Sequence, residues 1–74
     1  MAYPVIDLVA TGSRIRATLR SRGYSVVAVS DYLGITESSI YKALRGDTLL
    51  SLDNLYALST LLEVSMNDLL VAAA

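Results

Sequence analysis

Ser25, Gly34, Thr36 and Gly46 cut residues 25–46 into two short segments with a three-residue gap between them. Each cut has a local cause. Ser25 is placed to cap a helix beginning near Val26, its hydroxyl accepting from the free backbone N–H groups of the first turn. Gly34 falls one position past the end of that segment, where a left-handed conformation ends a helix and glycine enters it without steric cost. Ile35 is apolar and can plug the angle between two helices. Thr36 caps the second segment, which the spacing predicts as a helix from Glu37 to about Arg45, and Gly46 stops it. Two short helices hinged in this way form a helix-turn-helix, a shape that lets one helix cross the mouth of a nucleic-acid groove while the next enters it.

The rest of the chain is expected to be helical as well. Residues 2–10 are an apolar lead-in with Pro4 near its start, short enough to be a strand, an extended arm or a first helical turn. Thr11-Gly12-Ser13 is read as the opening of helix 1, in which Ile15 and Leu19 share a face at i, i+4, and Gly23 as its end. Helix 2 is expected to bury Val29 and Leu33, with Ser30 small enough for close approach of helix 3, and helix 3 to bury Ile40 and Leu44. After a loop from Asp47 to Leu50, Ser51 caps helix 4 with Leu55, Leu58 and Leu62 inward. Glu63-Val64 turns, and Ser65 with Asp68 three residues on is a capping box opening helix 5, where Leu69 and Leu70 close the core. The expectation is an all-α fold of five short helices, divided into a lead-in arm (1–10), a helix-turn-helix domain (11–71) and a tail (72–74).

With 74 residues the chain is one domain near the lower size at which a core holds without staples, and it has no Cys to supply a disulfide. No His is present either, so His-based catalysis, thiol nucleophiles and the usual zinc sites lack their parts, and no enzyme activity or cofactor is expected. There is no Walker-type phosphate loop, no signature of a small-molecule ligand pocket, no apolar run near the ~20 residues of a membrane span and no signal-peptide n-region. A cytoplasmic protein is expected. Charge is divided along the chain: six bases, Arg14, Arg16, Arg20, Arg22, Lys42 and Arg45, stand against three acids in residues 1–45, whereas residues 46–74 hold four acids and no base. That polarity suits a domain turning its first three helices toward phosphate.

Arg14-Ile15-Arg16, Gly23-Tyr24-Ser25, Leu33-Gly34-Ile35-Thr36, Ser39-Ile40-Tyr41, Gly46, Ser51-Leu52-Asp53-Asn54-Leu55 and Val64-Ser65-Met66-Asn67-Asp68-Leu69-Leu70 together resemble the lambda-repressor/Cro-like helix-turn-helix family, the small stand-alone regulators of phage and mobile-element type. The resemblance implies that Glu37, Ser38 and Lys42 meet base edges of double-stranded DNA. Their chemistry permits it: Lys donates to guanine O6 and N7, Glu accepts from cytosine N4, and Ser suits either. Ser39, Tyr41 and Arg45 fall at the groove margin, and with Ser25, Arg14 and Arg22 they complete the expected set of DNA-backbone contacts. Glu37 and Arg45 also suit the helix dipole, and Lys42 is an ordinary solvated side chain taken alone.

The departures from the family pattern are specific. Val26 stands where members commonly use Gln to grip a phosphate, and Asp47 to Ser51 carry none of the usual loop cations. Since phosphate contacts supply most non-specific affinity, a single copy should bind DNA weakly. Members also often hold helix 1 to helix 3 with a buried Arg–Glu pair; Leu19 and Leu44 occupy those positions, and they are expected to meet in the interior. The expected function is a sequence-specific transcriptional regulator, a repressor binding a two-fold operator as a homodimer. The alternative is a modulator on the same fold that binds another protein. The dimer is expected because Tyr3, Val5, Ile6, Leu8, Val9, Leu49, Leu50, Met66 and Val71 exceed what one small core covers.

Overall fold

The computed structural model describes residues 5–73, which form five helices: α1 (Leu8–Arg22), α2 (Val26–Leu33), α3 (Glu37–Arg45), α4 (Leu52–Leu62) and α5 (Met66–Leu69). No strand is present among the described residues, but an isolated antiparallel bridge joins Ile6 to Ala72. Tyr3 and Pro4, part of the expected lead-in, lie outside the described residues.

Local chemistry sets most helix ends. The hydroxyls of Ser25, Thr36, Ser51 and Ser65 accept from the backbone N–H groups of Ala28, Ser39, Asn54 and Asp68. Ser65 and Asp68 form the reciprocal capping box, each side chain accepting from the other's backbone N–H at 3.2 Å. Gly34, with φ of 69°, turns the chain between α2 and α3. Ser30 braces that turn: its carbonyl accepts from the N–H groups of Gly34 and Ile35, and its hydroxyl donates to the Ile35 carbonyl at 2.7 Å. Glu63 adopts the left-handed conformation at the end of α4, where its N–H and that of Val64 still close on Thr60 and Ser59.

Ile15, Leu19, Val29, Ile40, Leu44, Leu55, Leu58, Leu62 and Leu69 form one buried cluster, with Leu33 and Leu70 packed half-buried against it. Leu19 and Leu44 are 3% and 5% exposed, both members of this cluster, so apolar packing stands where a buried ion pair was the family alternative. Removing two charges from the interior also removes their desolvation cost.

The start of α1 differs from the sequence expectation. The helix begins at Leu8, three residues ahead of Thr11-Gly12-Ser13, and the Asp7 carboxylate caps it by accepting from the Ala10 N–H at 3.0 Å. Val5 to Asp7 are extended and the next residues are the first helical turn, so the lead-in combines two of the conformations its composition allows. Thr11 and Gly12 are buried because they serve packing rather than capping. The Thr11 hydroxyl accepts from the Val71 N–H at 2.9 Å, and two further backbone bonds, Asp7 N–H to the Val71 carbonyl and Ala73 N–H to the Val5 carbonyl, tie the two ends of the chain together. Ala72 and Ala73, expected in a tail, are part of this pairing.

Gly12 marks the crossing of α1 over α3. A Cβ there would lie 2.5 Å from the carbonyl oxygens of both Ala43 and Leu44, atoms of the α3 backbone that cannot swing aside. A glycine within a helix ordinarily costs ~1 kcal/mol relative to Ala. Gly12→Ala is therefore expected to destabilise the protein by about 1–3 kcal/mol through overpacking, against the sign of helix propensity. Urea unfolding checks this, and a midpoint equal to or above that of the parent chain would contradict the close crossing.

Candidate nucleic-acid interface

α3 carries two faces with different fates. Ile40, Ala43 and Leu44 are buried against the core, while Glu37, Ser38, Tyr41, Lys42 and Arg45 are exposed along the opposite side over two turns. The Thr36 cap and the Ser30 brace fix where that exposed stripe points relative to α2. Glu37, Ser38 and Lys42 are thus brought onto one outward surface, with Tyr41 and Arg45 alongside. Ser39 differs: it is half-buried, its N–H donates to the Thr36 hydroxyl, and the two hydroxyls lie 2.9 Å apart, so its polar atoms serve the cap. Ser25 is exposed at the start of α2, its hydroxyl oxygen accepting from the Ala28 N–H at 3.1 Å while its own proton stays available to donate.

The cations separate into three groups. Arg45 makes a two-pronged contact with Asp47, Nε at 3.1 Å and Nη2 at 3.0 Å from one carboxylate oxygen. Both side chains are more than half exposed, so the pair is worth little and is held mainly by its closeness in sequence. Arg14 and Arg22 have partners in the later part of the chain: Arg14 donates to the Asp68 carbonyl in α5 at 3.2 Å, and Arg22 approaches Glu63 at 4.0 Å. The third group, Arg16 and Arg20, faces α3. These two side chains, one turn apart, border an open cavity of about 220 Å³ between α1, the start of α2 and α3, where Leu19, Val26 and Leu44 meet Tyr24 and Tyr41.

Arg16 and Arg20 were not among the expected contacts. Helical geometry does separate the arginines: residues 16 and 20 fall on one flank of the buried Ile15–Leu19 stripe, and residue 14 on the other. What the sequence lacks is which flank meets α3. The exposed stripe of α3 and the cavity beside it are joined through Tyr41, which belongs to both. Hydroxyl and guanidinium groups around a helix of this kind can hold phosphate oxygens, while Lys, Glu and Ser can pair with base edges. No group of three or more potential metal ligands occurs among the described residues, and no helix there is long and apolar enough to cross a membrane.

Comparison with known proteins agrees with this geometry. No curated protein matches the chain. Among solved structures it is similar to the restriction-modification controller protein C.AhdI from Aeromonas hydrophila, at 30% identity over 85% of this chain and 96% of that one, with a TM-score of 0.77. It is similar also to the P22 c2 repressor in complex with a synthetic operator, at 32% identity over 81% of this chain and 91% of that one, TM-score 0.75. A third is SinR, the master regulator for biofilm formation, in complex with DNA, at 27% identity over 80% of this chain and 95% of that one, TM-score 0.72. The helix-turn-helix model HTH_3 matches residues 15–69, from the first core position of α1 to the last of α5, and the chain belongs to that lambda-repressor/Cro-like family.

Proposed function

We propose that this chain is a sequence-specific DNA-binding transcriptional regulator, a repressor that places α3 in the major groove and binds a two-fold site as a homodimer. The observation that carries the reading is the outward stripe of α3: Glu37, Ser38 and Lys42 are exposed, and their side chains make no hydrogen bond or ion pair among the described residues. Neighbours at 32% and 27% identity were solved on operator or other DNA. In this reading Ser25, Tyr41 and Arg45 contact the backbone, Ser39 does so through the proton its hydroxyl keeps when the Thr36 hydroxyl is the donor of that pair, and Arg14 and Arg22 reach DNA only by leaving Asp68 and Glu63. Fluorescence polarisation with DNA flanking the gene for this chain, at two salt concentrations, tests it. Failure to bind at low salt would favour a protein-binding modulator, a reading supported by a further solved neighbour at 27% identity, SinR in complex with the SinI protein.

Two substitutions separate the roles on α3. Lys42→Ala should cost about 1–3 kcal/mol on the preferred site and relax preference at one base pair, whereas an equal loss on every sequence would make Lys42 a backbone contact. Asp47→Asn should free Arg45 for phosphate. It is expected to raise affinity on all sequences and to steepen the dependence on salt by up to about 0.9 per bound copy. An unchanged slope would show that Asp47 does not hold Arg45 away from phosphate.

For the dimer, the exposed apolar side chains are the guide. Leu8, Leu50, Met66 and Val71 are half-buried, which leaves Val5, Ile6, Val9 and Leu49 exposed from the expected surplus. The structure adds Leu52 and Tyr56, 71% and 66% exposed and one turn apart on α4. This pair, with Leu49 preceding it, is the proposed contact, since it lies outside the stripe of α3, and a two-fold site calls for two recognition helices about one DNA turn, ~34 Å, apart. Sedimentation equilibrium at micromolar concentration should show a dimer that Leu52→Glu with Tyr56→Lys disperses. A monomeric parent chain would contradict the dimer, and a dimer that survives both changes would move the contact to Val5, Ile6 and Val9.

A further inference from the structure

We infer that the cavity between α1, the start of α2 and α3 is a clamp for one sugar-phosphate unit of the bound DNA strand, with Arg16 and Arg20 as its cationic jaws. The inference rests on the DNA-binding reading and replaces the helix-1 backbone contacts expected of Arg14 and Arg22. Four observations converge on it. Arg16 and Arg20 stand one turn apart on the same flank of α1, and neither has an acidic partner among the described residues. Like charges at that spacing repel, and one anion between them relieves the repulsion. No acid lines the cavity; Leu19, Val26 and Leu44 give it apolar surface, and the Tyr24 and Tyr41 rings complete its wall. An apolar surface bordered by cations fits a ligand that is anionic at one end and weakly hydrated on its body, as a phosphodiester on deoxyribose is. Finally, Tyr41 lies one turn along α3 from Glu37 and from Arg45, so the cavity opens beside the exposed stripe of α3.

The clamp also supplies what Val26 lacks. At the start of α2 a Gln would grip phosphate with its amide; Val26 instead contributes apolar surface to the cavity, and the grip passes to the guanidinium groups opposite it. Two arginines closing on a single phosphate neutralise one backbone charge, not two, and they carry no base information.

The test uses the full chain, the preferred duplex and an unrelated duplex in polarisation measurements from 50 to 300 mM salt, with the parent, Arg16→Gln, Arg20→Gln, the double variant and Val26→Glu. Arg16 and Arg20 are exposed, so all arginine variants are expected to keep the parent unfolding midpoint. Each single variant and the double variant should lower affinity on both duplexes without altering the ratio between them. The double variant should flatten the salt slope by about 0.9 per bound copy, the value for one B-DNA phosphate. Val26→Glu, which sets a carboxylate in the cavity, should weaken both duplexes in the same way. A parent chain that binds neither duplex at 50 mM salt overturns the DNA-binding reading and the clamp together. If the parent binds and the double variant keeps its slope, only the clamp is overturned. A loss of about twice the expected slope would also overturn it, since the two arginines would then hold separate phosphates.

Discussion

The crossing of α1 over α3 at Gly12 is the contact on which the rest of this domain depends. Hydrogen at that Cα lets the α1 backbone lie against the carbonyl oxygens of Ala43 and Leu44. Three consequences follow from the closeness. Leu19, two turns further along α1, joins the same buried cluster as Leu44, so apolar packing replaces an ion pair between the helices. The flank of α1 bearing Arg16 and Arg20 is set beside Tyr41. The first turn of α1 is carried toward the end of α3, where a Cβ on Gly46 would lie 2.6 Å from the Val9 Cα. One missing methyl group thus positions the recognition helix against the longest helix of the fold.

A domain this small has little core to hold such a crossing, and the ends of the chain reinforce it. Thr11 stands next to Gly12 and binds the backbone of Val71 through its hydroxyl, while Asp7 and Val5 bond to Val71 and Ala73. These bonds close the chain between α5 and α1, and α1 is the helix that packs on α3. Separating the ends would cost the buried Thr11 hydroxyl its partner, and an unsatisfied buried polar group costs about 1–3 kcal/mol. Stability and site geometry are therefore linked through Thr11-Gly12, although both residues are buried and neither belongs to the exposed stripe of α3.

What was legible in the sequence was what the chain decides within three or four residues. Ser25, Thr36, Ser51 and the Ser65–Asp68 box announce helix starts because their partners are the next turn's N–H groups, and Gly23, Gly34 and Gly46 announce ends because φ is positive there. The core stripe of α4 was legible for the same reason of period. Thr11-Gly12-Ser13 misled because its chemistry resembles a cap, and only contacts with Ala43, Leu44 and Val71 reveal it as a packing and clamping site. The same limit applies to the candidate site. Position along α3 singles out Glu37, Ser38 and Lys42 as outward side chains, but whether Arg14 or Arg16 faces α3 depends on the rotation of α1 about its axis. The surplus apolar residues show it too: Leu52 and Tyr56 read as ordinary members of an apolar α4 until Leu55, Leu58 and Leu62 are seen to take the core between them.

The weak positive charge of the helix-turn-helix half is easier to understand once its cations are sorted by partner. Arg14 and Arg22 are spent on the ends of α5 and α4, and Arg45 is held by Asp47. Lys42, Arg16 and Arg20 are left on the side of α3, so affinity from charge alone is small and falls quickly as salt screens it. Such a surface gains little on arbitrary DNA. In the proposed reading, discrimination comes from Glu37, Ser38 and Lys42 and affinity from joining two copies, because a second copy of α3 on the same duplex adds its contacts without a second loss of translational freedom. On the proposed reading, the exposed Leu52 and Tyr56 on α4 and the arginines of α1 that have no acidic partner among the described residues answer two halves of one constraint: a domain with few cations has to place each of them well and gains affinity by binding as more than one copy.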